Sequence, residues 1–167
     1  NQNYIQNGTV IDKLLKSLIV TKFNYEELLI GDKNAIMIAS RILGYGAEYK
    51  FTYNGKEEVA DLSKIDNKPF DESLITKGIN EFSFKLPSSD NDITFKFLTH
   101  GDESKINQEL EGLKKLGKEG SPELTTRLKY VVTSINGDRT TKLIREFIDE
   151  AFLARDARAF REYIGKV

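Results

Sequence analysis

The sequence predicts an α+β fold, in which two antiparallel β-hairpins are packed with N-terminal helices and a C-terminal helical bundle. Apolar residues first recur at helical spacing, then alternate with polar residues around two turn sequences, and finally return to helical spacing. Four strands with one apolar face need helices to cover that face. We expect an α+β part over residues 1–98 and a helical part over residues 99–167, together forming one compact structural unit.

Two helices are predicted before the hairpins. The segment TVIDKLLKSLI starts at Thr9, a favourable N-cap, and carries an apolar stripe that we expect to pack on the core or on a partner. The stripe consists of Ile11, Leu14, Leu15 and Leu18. The second helix follows Asp32, also a favourable N-cap, is nearly all apolar from Ile36 to Leu43, and has Gly44 as its natural stop. We expect this second helix to be central and buried on more than one side.

Alternation and turn residues predict the two hairpins. The segments AEYKFTY and KEEVADL flank Asn54-Gly55, and these residue types tolerate positive φ at both central positions of a type I′ turn. In the second hairpin, apolar and polar residues alternate on both sides of PSSDND. The apolar members are Phe82, Phe84, Leu86, Ile93, Phe95 and Phe97. We expect them to share one buried face.

The remaining sequence is predicted as helices. In DESKINQELEGLKKL one stripe is formed by Ile106, Leu110 and Leu113. The next helix, with Ser121 as its cap and Pro122 at its first position, is expected to carry an apolar face that continues to its C-terminal end. That face consists of Leu124, Leu128, Val131, Val132 and Ile135.

Gly137 is expected to close that helix in a left-handed turn, and Asp138 to cap the following one. The face of this following helix is formed by Leu143, Ile144, Phe147, Ile148, Ala151 and Phe152. A last short helix, expected to begin near Asp156, carries Leu153, Ala157, Phe160 and Ile164 on one stripe.

The composition of the chain argues against several classes of function. The 167-residue chain has a formal net charge of −1, so it has no overall attraction to nucleic acid or to an anionic membrane. Cysteine is absent, which excludes disulfides, thiolate zinc sites and thiol nucleophiles. No segment has the length of a membrane span or the pattern of a secretory signal, so we expect a soluble protein. The sequence begins at Asn1 rather than methionine, so we do not take it as the complete gene product.

No catalytic or metal-binding motif emerges. The glycines of LGYGAEY lie between a helix and a strand, the wrong order for a nucleotide-binding loop. His100, the only histidine, stands beside Asp102 and Glu103 at a helix start, which is typical of capping, whereas zinc needs several convergent ligands. The segment DNDITF lacks the glycine and the closing glutamate of a calcium loop. We predict that the protein is not an enzyme and uses no cofactor or metal.

Arginine is concentrated near the C-terminus. Six of the seven arginines lie there, at Arg127, Arg139, Arg145, Arg155, Arg158 and Arg161. Acids are interleaved with them, so that Arg145 with Asp149, and Arg158 with Glu162, have i,i+4 spacing. A nucleic-acid surface shows basic residues without matching acids. Solvated or intramolecular roles are therefore favoured over a protein interface, and nucleic acid comes third. For an interface, the candidates are Arg139, Arg145, Arg155, Asp156 and Arg158.

Several segments, taken in order, resemble the T4-like bacteriophage baseplate hub protein family. They are YEELLIGDKNAIMIASRILGYGAEYKF, VADLSKI, FSFKLPSS, ITFKFLTHGDE, LKYVVTSINGDRTTKLIREFID and LARDARAFREYI. The resemblance runs from about Leu18 to the C-terminus, and its specificity rests on the order of the segments and on the NGDR and LARD-x-RA ending. Some members of that family carry cysteine pairs that suggest zinc, a role that this cysteine-free chain does not inherit. Relatives tend to continue beyond YIGKV, so the resemblance leaves open whether a C-terminal segment is missing or disordered here.

The resemblance implies a structural component of a contractile phage tail baseplate, in the hub region, or a factor in its assembly. Such a protein acts through protein–protein interfaces and has no active site. Its expected partners are other tail or baseplate proteins, in a homo- or hetero-oligomer, and its expected location is the virion baseplate after assembly in the host cytoplasm. Two alternatives stay open. One is a dissociable tail-assembly chaperone absent from the mature particle, and the other is a nucleic-acid-binding regulator that uses the arginine-rich helices.

Overall fold

The computed structural model describes residues 9–66, 72–117 and 122–167, and it has the α+β fold that the sequence predicts. The helices of these residues are α1 (Thr9–Leu18), α2 (Ile30–Tyr45), α3 (His100–Lys115), α4 (Pro122–Val131), α5 (Thr141–Glu146) and α6 (Ala154–Ile164). The strands are β1 (Glu48–Tyr53), β2 (Lys56–Asp61), β3 (Phe82–Lys85), β4 (Asp92–Phe95) and β5 (Val132–Ile135). The predicted capping residue Ser121 lies outside the described residues.

The chain divides into two compact units, Asn1–Lys68 and Pro69–Val167. The division expected from the sequence, at residues 98/99, differs from this one because it places the second hairpin with the N-terminal helices. In the structure that hairpin belongs to the second unit, since β4 pairs on one side with β3 and on the other with β5.

The first unit has a small core. Leu15 of α1 packs with Tyr25 and Leu28, and Ile19 and Ile36 pack against them half-buried. The rest of the predicted α1 stripe stays exposed, namely Ile11, Leu14 and Leu18. One buried position on a ten-residue helix leaves most of its apolar face without cover in the described residues.

Helix α2 is not the central, buried helix that its apolar composition predicts. None of its residues is buried, and Leu43 is 89% exposed. Asp32 lies in its first turn rather than at the cap, and the helix runs past Gly44 to stop before Gly46, whose φ is 84°. The predicted N-cap at Asp32 and the predicted stop at Gly44 were therefore both wrong. Within the described part of this unit, one other α-helix and one hairpin offer too little surface to cover an apolar helix on several sides.

The first hairpin is confirmed. Asn54 and Gly55 both have positive φ, 50° and 76°, and Tyr53 lies opposite Lys56 in an antiparallel pairing. Every residue of β1 is exposed, so the hairpin contributes almost nothing to the core.

The second hairpin is also confirmed, with Phe82 opposite Phe95 and Phe84 opposite Ile93. The helix predicted through Val132 and Ile135, however, ends at Val131, and residues Val132–Ile135 form a third strand beside β4. β-Branched residues dominate this segment and fit a pleated, half-buried surface better than a helix. Tertiary pairing with Ile93 and Thr94 then fixes it as a strand.

The predicted helix closure at Gly137 is a second two-residue turn. Asn136 and Gly137 have φ of 50° and 84°, and Ile135 and Asp138 exchange both backbone hydrogen bonds at 2.9 Å. This is the geometry of a type I′ turn. Asp138 does not cap α5, because its carboxylate accepts from the N–H of Thr140, which is itself the N-cap residue.

Aromatic packing on the sheet forms the main core of the second unit. Phe160 of α6 meets Phe95 edge to face with ring centroids 5.1 Å apart, and Tyr163 stacks on Phe84 at 4.6 Å. The α6 stripe therefore docks mainly on the sheet rather than on the preceding helices. Helix α6 begins at Ala154, two residues before the predicted start at Asp156.

The other predicted helical faces of the second unit have mixed outcomes. The α3 stripe is confirmed, with Ile106 fully buried and Leu110 and Leu113 half-buried. The helix predicted across residues 143–152 is interrupted, since α5 passes into a π-helical turn, Phe147–Ala151. Ile144 and Ile148 are buried as predicted. None of the helices in the described ranges is both long enough and apolar enough to span a bilayer.

Candidate interaction surfaces

Asp156 is the most deeply buried of the predicted interface residues. It lies in the first turn of α6, and its carboxylate is completely buried. The backbone N–H groups of Ser88 and Ser89, in the turn between β3 and β4, donate to its two oxygens at 2.7 and 3.0 Å. Asp156 therefore ties α6 to the second hairpin within this chain, and it is not available to another subunit.

The electrostatics of Asp156 follow from this contact. Burial acts to raise the pKa of its carboxyl group, but the hydrogen bonds from Ser89 and Ser88 outweigh it, so the pKa lies below its ordinary value. A charged carboxylate that accepts backbone N–H bonds is favoured over the neutral acid. Asp156 is thus ionised across the physiological pH range.

Arg127 joins α4 to α3. Its guanidinium donates to both oxygens of Glu103, at 2.8 and 2.7 Å, and its Nε donates to Glu123 at 3.1 Å. Hydrogen bonding to Glu103 raises the pKa of Arg127. This two-pronged geometry is specific to arginine and fixes the two helices in register.

Arg145 makes an equivalent contact between α5 and α3, although the sequence predicted a different partner. It donates to both oxygens of Glu109, at 2.8 and 2.7 Å, and the hydroxyl of Tyr130 donates to the same carboxylate at 3.0 Å. The hydrogen bonds from Arg145 hold the pKa of Glu109 below its usual range. Asp149, the predicted i,i+4 partner, instead pairs with Lys129 at 2.7 Å.

Arg139 follows the Asn136-Gly137 turn and reaches the start of β3. It donates to both oxygens of Glu81, at 2.9 and 2.8 Å, and the hydroxyl of Thr133 donates to Glu81 at 3.1 Å. The hydrogen bond from Arg139 lowers the pKa of Glu81. This contact braces the turn after β5 against the opposite edge strand of the sheet.

The arginines of α6 behave differently, because all of them point to solvent. Arg158 pairs with Glu162 at 3.0 Å, the i,i+4 contact predicted from the sequence, and Arg161 donates to the carbonyl of Ala157 at 3.4 Å. Arg155 is exposed and forms no hydrogen bond or ion pair with the residues that the structure describes. These side chains form the outer face of α6.

The predicted interface residues therefore do not converge on one site. Arg139 and Arg145 are engaged by glutamates of the same unit, Asp156 is buried, and Arg155 and Arg158 lie outside. The acidic partners of Arg139 and Arg145 are 58 and 36 positions away along the chain, so no local spacing could reveal them. Those partners are Glu81 and Glu109.

An uncovered apolar surface lies on the described residues of the first unit. Tyr49, Phe51 and Tyr53 alternate along β1 and so share one face of the hairpin, where they are 47%, 40% and 63% exposed. The rings of Tyr49 and Phe51 stack with centroids 6.1 Å apart. Other large apolar side chains of this unit are exposed as well, namely Val10, Ile11, Leu14, Leu18, Val20, Phe23, Met37, Leu43, Tyr45, Val59 and Ile65.

A shallow cleft of about 380 Å³ opens on the polar face of the three-stranded sheet. Its lining consists of Ser83, Phe84, Lys85, Asp92, Ile93, Thr94, Ser134 and Gly137. The hydroxyl of Thr94 bonds those of Thr133 and Ser134, at 2.7 and 2.6 Å, and Lys85 pairs with Asp90 at 3.0 Å. Thr94 and Ser134 of the lining therefore bond to each other, and Lys85 is paired with a residue outside the lining.

Two further observations bear on function. Across the described ranges, no group of three or more His, Cys, Asp or Glu side chains is placed to hold a metal ion. Comparison of the chain with protein-family models, with curated proteins and with solved structures found no match.

Proposed function

We propose that this protein is a structural component of a contractile phage tail baseplate, in its hub region, or a factor in the assembly of that region. The observation that carries the proposal is the exposed apolar surface of the first unit, centred on Tyr49, Phe51 and Tyr53. Exposed apolar patches of this kind mark protein-binding surfaces, and aromatic side chains are enriched at interfaces. The resemblance of the sequence to the baseplate hub family indicates the kind of partner, namely other tail or baseplate proteins.

The contrast between the two units supports a role in assembly. The second unit buries a well-packed aromatic core and braces it with arginine–glutamate contacts. The first unit buries only Leu15, Tyr25 and Leu28 among its described residues. A protein with one well-packed unit and one unit with a small core is suited to a role in assembly, because the second kind of unit can bury its exposed apolar side chains against neighbouring proteins.

The charge arrangement favours protein partners over nucleic acid. Binding to phosphates requires several basic side chains free to neutralise them at once. Arg127, Arg139 and Arg145 are each held by a carboxylate of their own chain. The outer face of α6 has Glu162 among its arginines, so it is not an unmatched basic stripe.

Mass spectrometry of tails purified from the encoding phage tests the proposal. A structural component is expected in finished tails at a fixed ratio to the other baseplate proteins. Its presence in assembly intermediates but not in finished tails would identify a dissociable chaperone. If the protein were missing from both, the proposal would be wrong.

A gel shift with duplex and single-stranded nucleic acid at several salt concentrations tests the nucleic-acid alternative. We expect no shift at physiological salt. Binding that weakens steeply as salt increases would replace the proposal with a regulator that contacts phosphates, because counterion release produces that dependence.

A further inference from the structure

One edge of the first hairpin has unused hydrogen-bonding groups. Tyr53 and Lys56 flank the two-residue turn and form a hydrogen-bonded pair, and the bond from Leu62 N–H to the carbonyl of Ala47, at 2.9 Å, continues the same ladder. Every second residue from Tyr53 therefore directs its backbone groups toward β2. The alternate residues direct theirs to the outer edge of β1, and these residues are Glu48, Lys50 and Thr52.

Only part of this outer edge is occupied. The guanidinium of Arg41 donates to the carbonyl of Glu48 at 3.2 Å and to that of Gly46 at 2.9 Å, which closes the start of the strand. No hydrogen bond joins the outward N–H and C=O groups of Lys50 and Thr52 to another residue of the described ranges. An open edge of this kind is a template for an additional strand.

Side-chain charge makes the two edges of the hairpin unequal. Strand β2 contains Glu57, Glu58 and Asp61. Two copies of β2 can pair antiparallel in two long registers that keep the faces of the sheets aligned. The register centred on Glu58 places Glu58 opposite Glu58, and the register centred on Val59 places Glu57 opposite Asp61. Like charges placed directly opposite each other are destabilising, so the β2 edge resists pairing with itself.

Strand β1 has a register without such a conflict. If two copies pair antiparallel with Phe51 on the two-fold axis, Lys50 of each copy lies opposite Thr52 of the other, and their free backbone groups form the ladder bonds. Phe51 then faces Phe51, and Tyr49 faces Tyr53, in non-hydrogen-bonded pairs whose Cα atoms are about 4.5 Å apart. The neighbouring register, centred on Lys50, brings lysine opposite lysine and needs the Glu48 carbonyl that Arg41 occupies.

We propose that the chain forms a two-fold symmetric dimer in which the outer edge of β1 pairs antiparallel with the β1 edge of a second copy, centred on Phe51. The six aromatic side chains of the two copies then form three cross-strand pairs on one face of a four-stranded sheet, and such pairs stabilise a sheet. The same residue pairs recur on both sides of the axis, as a two-fold interface requires. This inference rests on the proposed function in that it names a second copy as one of the partners.

Sedimentation equilibrium of the purified full chain over roughly 1 to 500 μM tests the proposal. We expect a monomer–dimer equilibrium, and in Lys50→Pro a dissociation constant raised at least about tenfold, because proline removes an outward N–H in both copies. The matched control is Val59→Pro, which removes an outward N–H from the β2 edge of the same hairpin and should leave the equilibrium unchanged. Far-UV circular dichroism establishes whether both variants keep the hairpin.

Two further measurements cover the case in which proline disrupts the hairpin. Phe51→Lys keeps every backbone group and places two like charges at the axis, so it should also raise the dissociation constant by at least about tenfold. Amide hydrogen exchange at Lys50 and Thr52 should slow as protein concentration rises, whereas exchange at Val59 should not.

A chain that stays monomeric throughout the concentration range would overturn the proposal. So would a dimer that Val59→Pro weakens as much as Lys50→Pro, or one that Phe51→Lys leaves intact. The result is separable from that of the tail analysis. If the protein is monomeric but present in finished tails, the dimer inference is wrong and the proposed function stands. If it is dimeric but absent from tails and from their intermediates, the proposed function is wrong and the dimer inference stands.

Discussion

The buried carboxylate of Asp156 accepts a 2.7 Å hydrogen bond from the backbone N–H of Ser88, a residue 68 positions earlier in the chain. This bond connects the first turn of α6 to the turn between β3 and β4. It also places Phe160, one helical turn further on, against Phe95 of the sheet. The last helix and the second hairpin are thus held together by a charged contact at one end and by aromatic packing along their length.

Asp156→Asn should lower the free energy of unfolding of the second unit by about 1.5 to 3 kcal/mol, the usual contribution of hydrogen bonds to a charged group. The asparagine amide has the same shape as the carboxylate, but it has only one oxygen that can accept a hydrogen bond. Its NH₂ group, a donor, would face the second backbone N–H, which is also a donor, so that bond would be lost. Urea denaturation measures the change. Glu162→Gln, an exposed carboxylate on the same helix, is the matched control and should change stability little.

The contribution of Asp156 should also depend on pH. Because its folded-state pKa is lowered, the stabilisation is fully present above the unfolded pKa of about 4 and is lost as pH falls through the folded value. The difference in unfolding free energy between the wild type and Asp156→Asn should therefore be constant above about pH 5 and should shrink at lower pH. Denaturation at a series of pH values measures it. A difference that stays constant down to pH 3 would show that the carboxylate is not stabilised by folding.

Local signals in the sequence predicted the hairpins well, because a two-residue turn and an alternating pattern lie within a few positions of each other. The same signal was present at Asn136-Gly137, but the preceding segment was interpreted as helix since Leu124, Leu128 and Val131 fit helical spacing. Helical periodicity correctly describes residues up to Val131 and then gives way to strand pairing with β4. The boundary is set by a neighbour far away in sequence, which periodicity cannot detect.

The arginine contacts show a second limit of sequence reasoning. Spacing correctly predicted the pair formed by Arg158 and Glu162, since both lie on one exposed helix. It gave the wrong partner for Arg145, because α5 lies beside α3 and Glu109 offers both oxygens there. Helix α2 illustrates a third limit. Its apolar composition predicted burial, but burial depends on what surrounds a helix, and the first unit supplies little cover.

A double-mutant cycle should separate these two kinds of ion pair. Arg145→Ala combined with Glu109→Gln should give a coupling of about 1 kcal/mol, at the upper end for partly exposed pairs, because the contact is bidentate and joins two helices. The cycle of Arg158→Ala with Glu162→Gln is the control and should give about 0.3 kcal/mol or less, since both side chains are largely exposed. Urea denaturation of the single and double variants supplies both couplings. Equal couplings would show that the Arg145 contact does not brace the helices.

Two glycines should respond to alanine in opposite directions. Gly137 has a φ of 84° in the turn after β5, where an L-residue is strained, so Gly137→Ala should destabilise the second unit by about 1 to 2 kcal/mol. Gly112 lies within α3 with no atom within 4 Å of an added Cβ, so Gly112→Ala should stabilise it by about 0.5 to 1 kcal/mol. Thermal denaturation of both variants measures the two effects. A stabilising Gly137→Ala would contradict the left-handed turn.

Two phenylalanines, one from each hairpin, should differ in how much they contribute to the free energy of unfolding. Phe95 is completely buried against Phe82, Phe160 and Tyr163, so Phe95→Ala should cost about 3 to 5 kcal/mol of unfolding free energy. Phe51 lies on the exposed face of β1, so at protein concentrations where the chain is monomeric Phe51→Ala should change stability by less than about 1 kcal/mol.

The choice of control matters for this comparison. Lys96, on the polar side of the second hairpin, is unsuitable because its ammonium pairs at 2.7 Å with the nearly buried carboxylate of Asp102. Phe51 and Phe95 differ in burial but not in side chain, so the same atoms are removed in both variants. Urea denaturation gives the cost, and amide hydrogen exchange within β3 and β4 localises it to the second unit. A cost at Phe51 equal to that at Phe95 would mean that the face of the first hairpin is part of the folded core, and its role as a binding surface would then be wrong.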